Sequence, residues 1–197
     1  MKKAEIILGI SSIVALIMNL LLIPFGGFLT VLMLSSLSMI YFYLSFALFN
    51  NIRFRNISKK DSYKEVSKMR IIGAIATGIA LTFLILGILF KAQSWPGARM
   101  YLGVGIFGMI VIFIVGAIKF SANKSSYYTK IFKRLAIFGI LSLILFFLPG
   151  DAWMELKYRN HPAYIDAVKK AKADPGNQEL WKKVEEERDK VHNLSKK

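Results

Sequence analysis

The chain has 197 residues, 55% of them hydrophobic, with 27 lysines and arginines against 12 acids and a formal net charge of +15; its mean hydropathy is +0.47. The apolar residues lie in long blocks, which excludes an ordinary soluble domain and predicts a polytopic membrane protein. There is no cysteine, so disulfides, thiolate catalysis, lipobox acylation and cysteine-rich metal sites are excluded, and the basic excess reads as loops that record orientation and attract anionic lipid, not as a nucleic-acid surface.

The chain opens with Met1-Lys2-Lys3 and an apolar run, Ile6 to Ile23. This run exceeds the apolar core of a signal peptide and no A-x-A-like site follows, so an uncleaved helix is expected. No charged residue occurs between Glu5 and Arg53. That length suits two spans, 6–23 and 28–49, with Pro24-Phe25-Gly26-Gly27 as the turn.

A second pair of charge-free runs, Ile71 to Phe90 and Tyr101 to Ile118, flanks a short polar hinge, and about 20 helical residues span a bilayer core of about 30 Å. Pro96 cannot continue a helix and Gly97 accepts positive φ, so Trp95-Pro96-Gly97-Ala98 suits a type II turn. Lys91 falls in the last turn of the first arm, where its charge opposes the helix dipole, and Trp95 marks the headgroup level. The two hairpins read as copies when Gly26-Gly27 is aligned on Gly97-Ala98, which leaves Pro24 one residue out of register with Pro96. The competing reading is that apolar segments resemble one another by composition alone.

Between the hairpins lies 50–69, rich in Arg and Lys, and after the second comes 121–134, with Lys124, Lys130, Lys133, Arg134 and no acid. With Lys2, Lys3, Arg70 and Lys119 these segments hold fourteen basic residues, whereas the opposite side has Lys91 and Arg99 alone in its hairpin turns. A cytoplasmic amino terminus is therefore expected, in a multi-pass protein of the bacterial inner membrane. A fifth apolar run, 135–149, is short. Snorkelling of Lys133 and Arg134 at one end and anchoring by Trp153 at the other favour a crossing over an interfacial helix, and the choice sets the side of the tail.

From Asp151 the composition becomes soluble, with eleven basic and nine acidic residues. Asn160-His161-Pro162 reads as a helix start, Pro175-Gly176 as a break, and Asn177 as the cap of a second helix. The expected organisation is a transmembrane domain, 1–150, and a helix-turn-helix tail, 151–197. The tail is too small to carry a deep core, and Trp181 and Val184 need a cover, either Tyr164, Ile165 and Val168 of the first tail helix or a protein partner or second copy of the chain.

No chemistry stands out along the chain. Gly103-Val104-Gly105-Ile106-Phe107-Gly108 satisfies G-x-G-x-x-G but lies in an apolar helix, where small residues serve close packing, as do Ala74 with Gly78 and Ala76 with Ala80. His161 and His192 lack a second ligand at metal spacing, and Asp151 and Glu155 stand alone near an interface. None of the five runs contains an ionisable residue, which pumps and proton relays require. Ser11, Ser12, Asn19, Ser35, Ser36, Ser38, Thr77, Thr82 and Ser142 can bond within the bundle. No catalytic, cofactor or metal residue is assigned, and no cofactor is expected.

Phe90-Lys91-Ala92-Gln93-Ser94-Trp95-Pro96-Gly97-Ala98 resembles the FKxxHWPGA signature in the amino-terminal transmembrane hairpin of the gliding-motility motor protein GldL and of uncharacterised Bacteroidota membrane proteins that share it. Lys91, Trp95, Pro96, Gly97 and Ala98 match, and Ser94 replaces the usual histidine. The resemblance covers 70–120 and implies a transmembrane hairpin. It also implies a motor glutamate in the second hairpin helix, and here 101–118 contains no acid. The sequence therefore predicts an all-α membrane bundle of five transmembrane helices with a helical tail. Its expected role is that of a scaffold or partner subunit that meets lipid, and a protein partner or a second copy, through small-residue faces or the tail. A transporter or channel component is the alternative, and a membrane-embedded enzyme has the least support.

Overall fold

The computed structural model describes residues 1–194, all of whose regular elements are helical. The first five helices are α1 (Lys2–Leu20), α2 (Gly26–Phe49), α3 (Lys68–Ala92), α4 (Ala98–Ala122) and α5 (Ser126–Phe147). Among the described residues, α1 to α4 are long and apolar enough to cross a membrane. Three shorter helices follow, α6 (Ala152–Lys157), α7 (Pro162–Ala173) and α8 (Gln178–Leu194).

The centre of the bundle is α3, which packs against α2, α4 and α5 and touches α1. Leu81, Leu84 and Ile85 on it are fully enclosed. Glycines set the closest approaches: a Cβ on Gly78 would lie 2.4 Å from the Tyr41 carbonyl oxygen, and one on Gly105 would lie 2.7 Å from the Leu84 nitrogen. The small residues of α3 and α4 are thus used inside the molecule, where backbones meet and dispersion contacts multiply. On α1 the arrangement is inverted relative to a soluble helix. Glu5, Ser12, Ala15 and Asn19 face inward, whereas Ile6, Ile10, Ile13 and Ile17 face out. Lipid solvates the isoleucines, Glu5 and Asn19 find hydrogen-bond partners in the bundle, and the Ser12 hydroxyl is buried without one.

The two tight turns have one backbone design. After α1, the Ile23 and Leu22 amides donate to the Met18 and Asn19 carbonyls, at 2.9 and 3.3 Å; after α3, the Trp95 and Ser94 amides donate to those of Phe90 and Lys91, at 2.8 and 3.1 Å. Leu22 and Ser94 are left-handed, with φ +57 and +56. A proline follows each, and then a second left-handed residue that opens the next helix, Phe25 at φ +64 and Gly97 at φ +86. Pro24 therefore coincides with Pro96, and the expected alignment of Gly26-Gly27 on Gly97-Ala98 is one residue out of register. Phe25, a residue with a Cβ, holds the place of Gly97.

The fifth helix starts earlier than its apolar run. Ser125 caps it by accepting from the Tyr127 amide at 3.3 Å. Tyr127, Ile131, Leu135, Ser142 and Leu145 then form one buried stripe, so much of the segment expected as a basic loop is helix. Twenty-two residues make α5 about 33 Å long. At its start the Tyr127 hydroxyl donates to the Arg70 carbonyl and Lys130 Nζ donates to Asn51 Oδ1. At its finish it meets the turn between α3 and α4. Beyond it, Met154, Ala167, Val168, Ala171 and Val184 form a small core of α6, α7 and α8. Val184 is buried there, while Trp181 stays 42% exposed with its indole N–H donating to the Pro175 carbonyl.

Candidate functional site

Polar groups gather at the two ends of the bundle. At the turn end, Gly97 has φ +86 and ψ −5, the third place of a type II turn. A Cβ there would meet only the Tyr101 ring, at 3.9 Å, so the position is restricted by backbone conformation and not by space. Trp95 packs edge-on to Phe90 with centroids 5.3 Å apart. Lys91, in the last turn of α3, donates to the carbonyls of Leu148 and Pro149 at 3.1 and 3.3 Å. Leu148 ends α5 and its carbonyl has no helical partner, the Pro149 carbonyl also accepts from the Ala152 amide at 3.1 Å, and the ammonium offsets that helix's negative pole.

Asn19 stands to the first turn as Lys91 stands to the second. Its Nδ2 donates to the Ala92 carbonyl at the end of α3 at 3.2 Å, and Gln93 answers by donating to the Gly27 carbonyl at 2.7 Å. Trp153 of α6 donates to the same Ala92 carbonyl, and Lys157 donates to Asn19 Oδ1 at 2.6 Å. Burial pushes the Lys157 ammonium down to about 8. Asp151 and Glu155 pair with Lys172 and Lys169 of α7. The tail is fastened to the turns by these contacts. Lys91, Trp95, Pro96, Gly97 and Ala98 all line one cavity of about 630 Å³ between the α3–α4 turn and the tail.

At the other end lies a cluster that the sequence did not reveal. Glu5 accepts from Arg134 through both oxygens, at 2.5 and 2.6 Å, and the Tyr41 hydroxyl donates to it at 2.5 Å. The Arg134 guanidinium lies over the Phe49 ring at 5.1 Å. The side chains of Arg134 and Glu5 are only 16% and 10% exposed, so this is a nearly enclosed ion pair with its remaining valences satisfied. Both residues flank the apolar runs in sequence, but the helices extend past those runs and carry them inward. The available signal was that Glu5 is the sole acid before Asp61, and an acid at the edge of a membrane segment needs a partner.

Among the described residues no three His, Asp or Glu side chains gather as a metal site. His161 precedes α7, and the side chain of His192 lies outside the described residues. The G-x-G-x-x-G glycines sit within α4, with no strand before them.

A family description matches part of this architecture. Residues 76–137, from within α3 to within α5, match the GldL N-terminal domain. The chain is related to the GldL family through that segment. It covers about a third of the sequence and includes the Trp95 turn. No curated protein and no solved structure matches the chain significantly. Within the GldL-like segment the part of α4 that crosses the apolar layer carries no acid, and the acid that the bundle does hold, Glu5, belongs to α1, outside the match.

Proposed function

We propose that this protein is a non-catalytic scaffold or partner subunit of the bacterial inner membrane, crossing it five times with its amino terminus in the cytoplasm and its tail, 151–197, on the far side. The observation that carries the proposal is the closed interior. Ser38 turns its hydroxyl onto the Ser35 carbonyl, Thr82 bonds to the carbonyls of Gly78 and Ser38, Thr30 bonds to those of Gly26 and Ala15, and Asn19 is held by Ala92 and Lys157. These polar groups, which a transport path would need along its wall, are bonded into the packing, and the hydroxyls of Ser12, Ser45 and Ser142 are buried in it without a hydrogen-bond partner. Glu5, the acid within the first five helices, is neutralised by Arg134 and Tyr41. The fifth crossing is supported by the length of α5 and by its two ends, one beside Glu5 and Arg70 and the other beside Lys91.

Because the small residues of α3 and α4 are consumed internally, a partner would meet the exposed flank of α4, where Phe107 and Ile114 point outward. In native membranes a photo-crosslinker at position 107 or 114 should trap a discrete protein, and the same probe at enclosed Leu84 should not. Liposomes containing the purified chain should hold a proton gradient as long as empty ones. A proton leak, or crosslinks to lipid alone, would overturn the proposal.

A further inference from the structure

The positive-inside pattern leaves Lys91 and Arg99 on the wrong side of the charge asymmetry, and the structure brings them into one place. Both line the cavity of about 630 Å³ at the α3–α4 turn, with Lys172 of α7 as a third cation and Asp151 as the acid. Lys172 is paired with Asp151 at 2.5 Å, and Lys91 is held by two carbonyls. Arg99 is exposed, forms no ion pair among the described residues, and rests its guanidinium over Phe146 at 5.4 Å. The cleft therefore has an excess of two positive charges. Its chemistry changes on the membrane side, where Leu102, Leu145 and Phe146 form the wall. Deeper along the same two helices, α4 and α5, lies an apolar groove of about 300 Å³ between Met109, Phe113, Ala136 and Gly139. Seven residues separate Leu102 from Met109, about 10 Å along α4, which places the groove within the hydrocarbon half-thickness below the cleft.

We infer that this cleft binds an anionic phospholipid, its phosphodiester facing Arg99, Lys91 and Lys172 and an acyl chain following the α4–α5 seam into the groove. A cationic cleft at headgroup depth above an apolar groove fits an amphiphile with one negative head and a hydrocarbon tail. A free anion would have no use for the groove. Arg99 supplies the fork that grips phosphate oxygens, and the open amino end of α4 adds favourable partial charge beside it. The inference is independent of the scaffold role, since a lipid can occupy the cleft whether or not a protein meets α4.

The test is lipid binding to the full-length protein by native mass spectrometry, after delipidation, with phosphatidylglycerol and phosphatidylcholine in matched detergent. Phosphatidylglycerol should bind saturably and more tightly. Arg99→Gln should weaken it about tenfold, the loss of one charge-assisted contact. Ala136→Phe, at an exposed position lining the groove, should weaken phosphatidylglycerol while leaving the affinity for inorganic phosphate unchanged. Lys124→Gln, on the opposite basic side, should change nothing. Equal binding of the two lipids, an unaffected Arg99→Gln variant, or an equal loss in Lys124→Gln would overturn the site. Inorganic phosphate bound as tightly as phosphatidylglycerol would show that the cleft takes a free anion and overturn the lipid assignment.

Discussion

Phe25 and Gly97 occupy the same left-handed place in two turns of common design, and only one of them is the residue that place favours. The strain of a Cβ at positive φ is about 1 to 2 kcal/mol. Phe25→Gly should therefore stabilise the protein by about 1 kcal/mol and Gly97→Val should destabilise it by about 1 to 3 kcal/mol, read as opposite shifts in melting temperature in detergent. The Glu5–Arg134 pair follows a different rule. Arg134→Met alone leaves an enclosed carboxylate without its cation and should cost about 3 kcal/mol, whereas Glu5→Gln with Arg134→Met should cost far less. A double variant no better than the single one would show that the pair is not the coupling between α1 and α5. For Lys157 the sign follows from its lowered value. Below pH about 8 both folded and unfolded chains hold the proton, and the penalty of the buried ammonium is felt in full. Between about 8 and the ordinary 10.5 only the unfolded chain keeps it, so the stability of the docked tail should rise with pH across that window, and Lys157→Gln should remove the rise.

At the scale of the element, α2, α3 and α4 were legible because a lipid environment demands long uninterrupted apolar runs, and the sequence has them. The helix of α5 was half legible. Its run from Leu135 was visible, but Lys130, Lys133 and Arg134 conceal the stripe of Tyr127, Ile131 and Leu135 that continues it backwards. The hinge could be read from Pro96 and Gly97, whose constraints are local. The partners of Lys91 could not, because the Leu148 carbonyl is 57 residues away and a backbone carbonyl has no sequence signature. Glu5 and Arg134, 129 residues apart, had the same concealment. The direction of α5 makes a topological prediction for this cysteine-free chain. Cysteines introduced at Ser94 and Asn160 should label from outside intact cells, and one at Ser62 should label only after the membrane is opened. Labelling at 160 on the same side as 62 would remove the fifth crossing.

For the molecule as a whole, the tail is neither a free domain nor a bare appendage. Its core of Met154, Ala167, Val168, Ala171 and Val184 is small, and Trp153 and Lys157 fasten it to Ala92 and Asn19. The cover that a core of this size requires comes in part from the chain's own turns, which narrows the need for an outside protein inferred from its length. Excised from the bundle, 151–197 should be partly helical and melt without cooperativity by circular dichroism. A sharp, concentration-independent transition would show a self-sufficient unit.

The side-chain bonds at the turn end also have an order in time. Asn19 holds the finish of α3, and Lys91 holds the finish of α5; in these two bonds the donor is made before the acceptor it secures, whereas Gln93, Trp153 and Lys157 donate back to residues already made. A chain inserted from its amino terminus at about 5 to 20 residues per second can thus fasten α3, and later α5, to a helix already in place. Biosynthesis becomes a ratchet. Stopping the chain after α4 should leave a protease-resistant four-helix intermediate, whereas starting it at α3 should leave the Ala92 carbonyl without the earlier-made Asn19.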